Sequence, residues 1–175
     1  TDLLWIGPSP NIPTLETAIL YIGTCLLEGT NVSEGRGTTK PFEMLGAPWI
    51  DAYELNDAMN RKGFSGIIFR PAYFTPSFSK HQGQLCGGVQ IHITNKKSVK
   101  AFEIGIQLIY TLMDLYKDNF AFLSPYQEGS FPFFDLLAGT DEIRLRSNDF
   151  QSMMDHFALG LQSFSELKKK YHLYD

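Results

Sequence analysis

Apolar residues recur along this chain in two periods, and the switches between them mark out its elements. Leu15, Ala18, Ile19 and Ile22 repeat at helical spacing behind Thr14, a residue suited to capping a helix, and Gly23 ends the pattern. The apolar run carries on, so residues 24–27 read as a short buried strand. Asp51 is placed to cap a second helix over residues 52–62, with Gly63 at its left-handed end. Residues 64–74 are strand-like through Ile67, Ile68 and Phe69, but Pro71 and Pro76 confine them to a sheet edge or to two pieces. Residues 75–88, with one proline, three glycines and no clear period, read as a loop. Val89, Ile91 and Ile93 then alternate with Gln90 and His92, the pattern of a half-buried strand over residues 89–94.

The second half is helical in pattern. Ser98 is expected to cap a helix over residues 99–116, with Phe102, Ile106, Ile109, Tyr110 and Met113 on one face. A break at residues 126–130 precedes short helical pieces near 133–138 and 141–146. A last helix begins at Asn148 or Asp149 and runs through Met153, Phe157, Leu161, Phe164 and Leu167. The three prolines before Thr14 predict an extended approach over residues 1–13. No repeat or linker interrupts the pattern, so residues 1–175 read as a single domain. The predicted class is α+β: a small mixed or antiparallel sheet of about three strands packed against four to five helices.

One stretch fits none of these periods. Residues 28–40, Glu-Gly-Thr-Asn-Val-Ser-Glu-Gly-Arg-Gly-Thr-Thr-Lys, hold three glycines, two carboxylates, a guanidinium and an amide directly after an apolar run. A loop this dense in hydrogen-bonding groups is a usual place for a ligand site. The stretch also carries a resemblance. Together with Gly46-Ala-Pro-Trp-Ile-Asp51, the upstream residues 8–14 and the later segment 131–144, it closely resembles the exo-β-N-acetylmuramidases of the NamZ family. The resemblance implies a bacterial glycosidase that releases terminal N-acetylmuramic acid from peptidoglycan fragments, acting outside the cytoplasm in the periplasm or after secretion. It also implies a Rossmann-like domain ahead of this region that holds the main catalytic acid, with the cleft formed between the two parts. The chain opens at Thr1 with no initiator Met and no signal peptide, so Thr1 is expected not to be the native start. This region alone is expected to be inactive.

Composition narrows the alternatives. With 43% hydrophobic and 19% charged residues, 175 residues suffice for a buried core. A net charge of −4 offers no basic stripe for nucleic acid. The apolar stretches are too short for a membrane span. Cys25 and Cys86 are the only cysteines, too few for a disulfide scaffold or a four-ligand zinc site, and packing is the expected role of each. No two histidines are spaced as a ligand pair, and the glycines at 35, 37, 87 and 88 match neither a P-loop nor a dinucleotide fingerprint, so neither a metal nor another cofactor is expected.

Glycoside hydrolysis uses paired carboxyl groups. Glu28 and Glu34 are the local pair and Glu43 is a third candidate; cleft lining with proton handling stands against purely structural hydrogen bonding. N-acetylmuramic acid bears a lactyl ether ending in a carboxylate, and the Arg36 guanidinium, set between two glycines, suits a bidentate grip on it. The other reading of Arg36 is an ion pair with Glu34 or Glu43 that holds the loop. Asn31, Thr38 and Asn11 are candidate contacts to sugar hydroxyl or acetamido groups, and equally turn formers. His81 is a candidate sugar contact or general acid or base. Two further readings remain: a non-catalytic module that binds peptidoglycan sugars, and a hydrolase built on Cys86 and His81.

Overall fold

A computed structural model describes residues 4–125 and 127–173. Parts of two expectations, the extended run 1–13 and the break at 126–130, lie outside the described residues. The chain divides into two compact units, Thr1–Gly139 and Thr140–Asp175. No linker marks the division in sequence; it falls at Gly139, whose left-handed backbone (φ 74°) closes a short helix, α4, Phe133–Ala138.

In the first unit three antiparallel strands form a sheet. Its central strand, β3 (Cys86–Ile93), lies between β1 (Met44–Ala47) and β2 (Ile67–Phe74). The α+β expectation is borne out, with six helices in the described chain. The third strand, however, is not the one expected. Thr24 belongs to helix α1 (Leu15–Thr24), and residues Cys25–Gly29 form a 3₁₀ turn instead of a strand. Thr24 donates its hydroxyl to Leu20 O, four residues back, as a helical residue does. Short apolar runs of this kind fit a buried helix as well as a buried strand. The missing strand is β1, whose last two residues, Gly46 and Ala47, open the 46–51 motif; with Pro48 following, Gly46 looks locally like a turn residue.

β3 starts three residues earlier than its alternation suggests. Gly87 and Gly88 look like loop residues, yet they pair with Ala47 and Gly46 of β1. The strand is central rather than half-buried: Gln90 is itself buried, held by Arg70 Nη2 at 2.7 Å. β2 is an edge strand, as its proline requires, and Asn60 lies along its outer side. The Asn60 side chain accepts from Phe69 N and donates to Phe69 O, both at 3.0 Å.

Asp51 caps helix α2 (Ala52–Asn60) through Tyr53 N and Glu54 N. Helix α3 (Ala101–Leu115) begins two residues later than expected, and Ser98 does not cap it; the Ser98 hydroxyl donates to Asn95 O. Helices α1 and α3 cross in close contact and, with α2 and the sheet, enclose a core that includes Leu20, Leu45, Leu55, Val89, Ile91, Ile104 and Leu108. The second unit holds α5 (Glu142–Leu145) and α6 (Phe150–Lys168), the latter capped by Asp149, with Ile143 and Met153 buried. Among the described residues no helix is long and apolar enough to cross a membrane.

Candidate functional site

The polar loop of residues 28–40 is built onto the sheet. Ser33 exchanges backbone hydrogen bonds with Gly46 of β1, at 2.8 and 3.0 Å, so the loop lies along the outer side of that strand. Gly35 and Gly37 both sit at φ 81°, where a side chain is strained. A Cβ on Gly37 would also lie 2.6 Å from Phe78 O, because the second loop docks there: Ser77 donates to Gly37 O through both its N–H and its hydroxyl. The two loops that the sequence leaves separate are thus one structure.

That docking assembles four charged side chains. Glu34 is 2% exposed, and each of its oxygens meets a cation: Oε1 faces Arg36 Nε at 3.1 Å and Oε2 faces Lys80 Nζ at 3.0 Å. Arg36 also donates from Nη2 to Glu28 Oε2 at 3.2 Å, and its guanidinium carbon lies 5.0 Å from the centroid of the Phe42 ring. Phe42 is fully buried at φ 63°, and Tyr21 meets its ring edge-on at 4.8 Å. The guanidinium is therefore held by two carboxylates and an aromatic face. Among the described residues its Nη1 has no partner, and neither does Glu28 Oε1. Both side chains remain partly open to solvent, at 28% for Arg36 and 20% for Glu28.

Lys80 lies underneath. Its ammonium donates to Leu27 O, Val32 O and Glu28 O at 2.8, 3.1 and 3.2 Å as well as to Glu34. Burial pushes its pKa down, opposed by the Glu34 charge. Burial and the Glu28 charge also raise the Tyr21 phenol above its ordinary value.

The remaining candidates divide. Glu43 stands apart from the cluster: it is buried and accepts from the hydroxyls of Thr17 (2.7 Å) and Thr14 (3.3 Å), bracing the start of α1. Asn31 turns away from the open side of the loop. Its amide donates to Asn119 O at 2.7 Å and accepts from Ala121 N at 3.0 Å. His81 Nε2 lies 2.8 Å from Asn31 O, a carbonyl that can only accept, so that nitrogen carries the proton. The Thr38 hydroxyl donates to Gly35 O and accepts from Lys40 N, shaping the turn. Asn11 sits in the Ser9–Ile12 turn, its N–H on Ser9 Oγ, and takes no part in the contacts that join the cluster. Sequence reasoning missed Lys80, although one signal marked it: between Arg70 and Lys96 it is the only Lys, Arg, Asp or Glu.

The Cys86–His81 hydrolase reading is overturned. Cys86 is fully buried, its thiol is directed to Gln84 O, and burial pushes its pKa up to about 11, far from the thiolate a nucleophile needs. Cys25 is likewise pushed up to about 11 by burial and by the Glu28 charge. Both values rise from 9.0, so the folded state holds protons that the unfolded chain releases. This stability is complete below the unfolded value and is lost as pH rises through the folded one. Ionising Cys86 where it is buried therefore costs the fold stability across that window, and the half-buried Cys25 does so more weakly. Lys80, with its lowered pKa, contributes in the opposite sense. Melting curves taken from neutral to strongly alkaline pH should therefore fall less steeply for Cys86→Ala than for the wild type; equal slopes would exclude the buried thiol as a source.

The profile of the family described as Exo-beta-N-acetylmuramidase NamZ, C-terminal, matches residues 19–174. The chain belongs to this family. A curated relative, the peptidoglycan beta-N-acetylmuramidase NamZ of Bacillus subtilis (strain 168), is 46% identical over 177 residues, covering 99% of this chain and 41% of the relative. Two solved DUF1343 family proteins from Bacteroides fragilis NCTC 9343 share the fold. One has a TM-score of 0.84 at 33% identity and the other 0.66 at 28%; each match covers 99% of this chain and 46% of the solved one. This NamZ C-terminal domain therefore spans less than half the length of the relatives it matches, and it is a domain related to peptidoglycan muramidases.

Proposed function

We propose that this domain forms one wall of an N-acetylmuramic acid pocket in an exo-β-N-acetylmuramidase. Arg36 engages the lactyl carboxylate of the sugar, and Glu28 beside it accepts or delivers a proton or a hydrogen bond. One observation carries the reading: a guanidinium held on Glu34 and Phe42 presents unpartnered N–H groups next to the unpartnered oxygen of a second carboxylate. A fork fixed in this way loses little side-chain freedom when it meets a planar anion. Glu34, buried with both oxygens engaged, serves as the anchor of that fork in this reading. The segment that covers the rest of the NamZ relatives supplies the opposite wall and the main acid. Peptidoglycan lies outside the cytoplasmic membrane, and the domain is assigned to that side.

The test joins this chain to the N-terminal portion of the Bacillus relative and assays a chromogenic N-acetylmuramide and the matching N-acetylglucosaminide. Arg36→Ala should lower kcat/KM on the muramide at least about tenfold more than on the glucosaminide, the discrimination expected when one charge-assisted pair is lost. Equal losses on both substrates would reduce Arg36 to a loop brace. The alternative of a sugar-binding module is met by the same assay. Turnover only in the joined protein supports the enzyme reading, whereas muramic-acid binding without turnover in either setting supports the module.

A further inference from the structure

We infer that Lys80 is a positioning residue whose charge makes the Arg36 pocket able to accept an anionic sugar, an inference that rests on the reading of Arg36 given above. Arg36 already faces two carboxylates, Glu34 at 3.1 Å and Glu28 at 3.2 Å. These three groups alone sum to −1, and an incoming carboxylate would be the third anion around one cation. Coulomb repulsion between anions a few ångströms apart in a partly dry site would then oppose binding. Lys80 removes this difficulty. Its Nζ takes the second oxygen of Glu34 at 3.0 Å, so the four charges sum to zero and the outer edge of the guanidinium keeps its attraction for an anion.

The remaining contacts of Lys80 show why a lysine in the other loop can do this. Leu27, Glu28 and Val32 turn their carbonyl oxygens towards one point, with Glu34 Oε2 the fourth acceptor. An ammonium has three protons for these four sites, so the bonds are shared and the cation is held centrally. The carbonyl dipoles and the carboxylate offset the cost of keeping a half-buried lysine charged. Lys80 touches neither the open edge of Arg36 nor Glu28 Oε1, and so acts through Glu34.

The experiment titrates the protein joined to the N-terminal portion of the Bacillus relative with N-acetylmuramic acid and, separately, with its carboxyl methyl ester, following binding by calorimetry. Wild type should prefer the acid by about tenfold or more, and Lys80→Met should abolish or reverse that preference. Lys80→Arg keeps the charge and should retain the preference, whatever it loses in overall affinity. The decisive variant is Glu34→Gln with Lys80→Met, which restores a net charge of zero and should restore the preference for the acid. Should Lys80→Met alone fail to fold, that double variant carries the comparison, since it buries no unpaired carboxylate. Equal weakening of acid and ester in Lys80→Met, or no preference for the acid in the double variant, would overturn the role given to Lys80. A wild type that does not distinguish acid from ester would overturn the reading of Arg36 first, and this inference with it.

Discussion

Glu34→Ala is expected to lower the stability of the domain by about 2–4 kcal/mol, because it removes a buried carboxylate and leaves the half-buried Lys80 ammonium and Arg36 without their shared anchor. The two ion pairs of Glu34 are made by a side chain with 3% exposure, so solvent cannot replace the lost partner. Glu28→Ala removes a more open carboxylate from the same guanidinium and should cost only about 0–1 kcal/mol. Urea unfolding of the two variants beside the wild type measures the contrast. A Glu34→Ala loss under about 1 kcal/mol would mean that the loops are held together without this pair. The order of the two losses therefore matters as much as either value: it separates a carboxylate that holds the loops together from one that lies partly open to solvent.

A second large effect is expected at the crossing of α1 and α3. A Cβ on Gly105 would lie 2.4 Å from Gly23 O and 2.8 Å from Gly23 Cα, and one on Gly23 would lie 1.8 Å from Ala101 O. All these neighbours are backbone atoms, so no rotamer change relieves the contact and the helices must separate. Gly105→Ala should cost about 3 kcal/mol or more, at the upper end for overpacked positions. The damage should also reach the site, since α1 runs directly into the 3₁₀ turn that carries Glu28. A melting temperature within about 2 °C of the wild type would show that the crossing is looser than this.

How much of this was legible in the sequence depends on the kind of signal. Helices were legible where apolar spacing and a cap coincide, as at Thr14, Asp51 and Asp149, each of which does accept from its helix's first turn. The sheet was less legible, because what decides β1 and the start of β3 is the close approach of Gly46, Gly87 and Gly88, and a glycine reads locally as a turn. The polar loop was identified by composition, and Arg36 with Glu34 by charge. Their partner was not identified, because Lys80 reaches Glu34 across 46 positions of chain and no periodicity encodes such a contact. Burial separates what sequence could not: the two carboxylates look equivalent in sequence, yet Glu28 is partly exposed and Glu34 is buried.

The loop's attachment to Gly46 has a consequence for how this domain can change. Both rims of the sheet are occupied, one by Pro71 and the Asn60 side chain, the other by the Ser33 bridge. Among the described residues each rim is thus interrupted, which shortens the row of amides open to another molecule's strand, the usual start of aggregation in small sheets. Remodelling the loop would loosen the guard on β1 at the same time. Changes to this loop would thus have to arise together with another means of covering that strand.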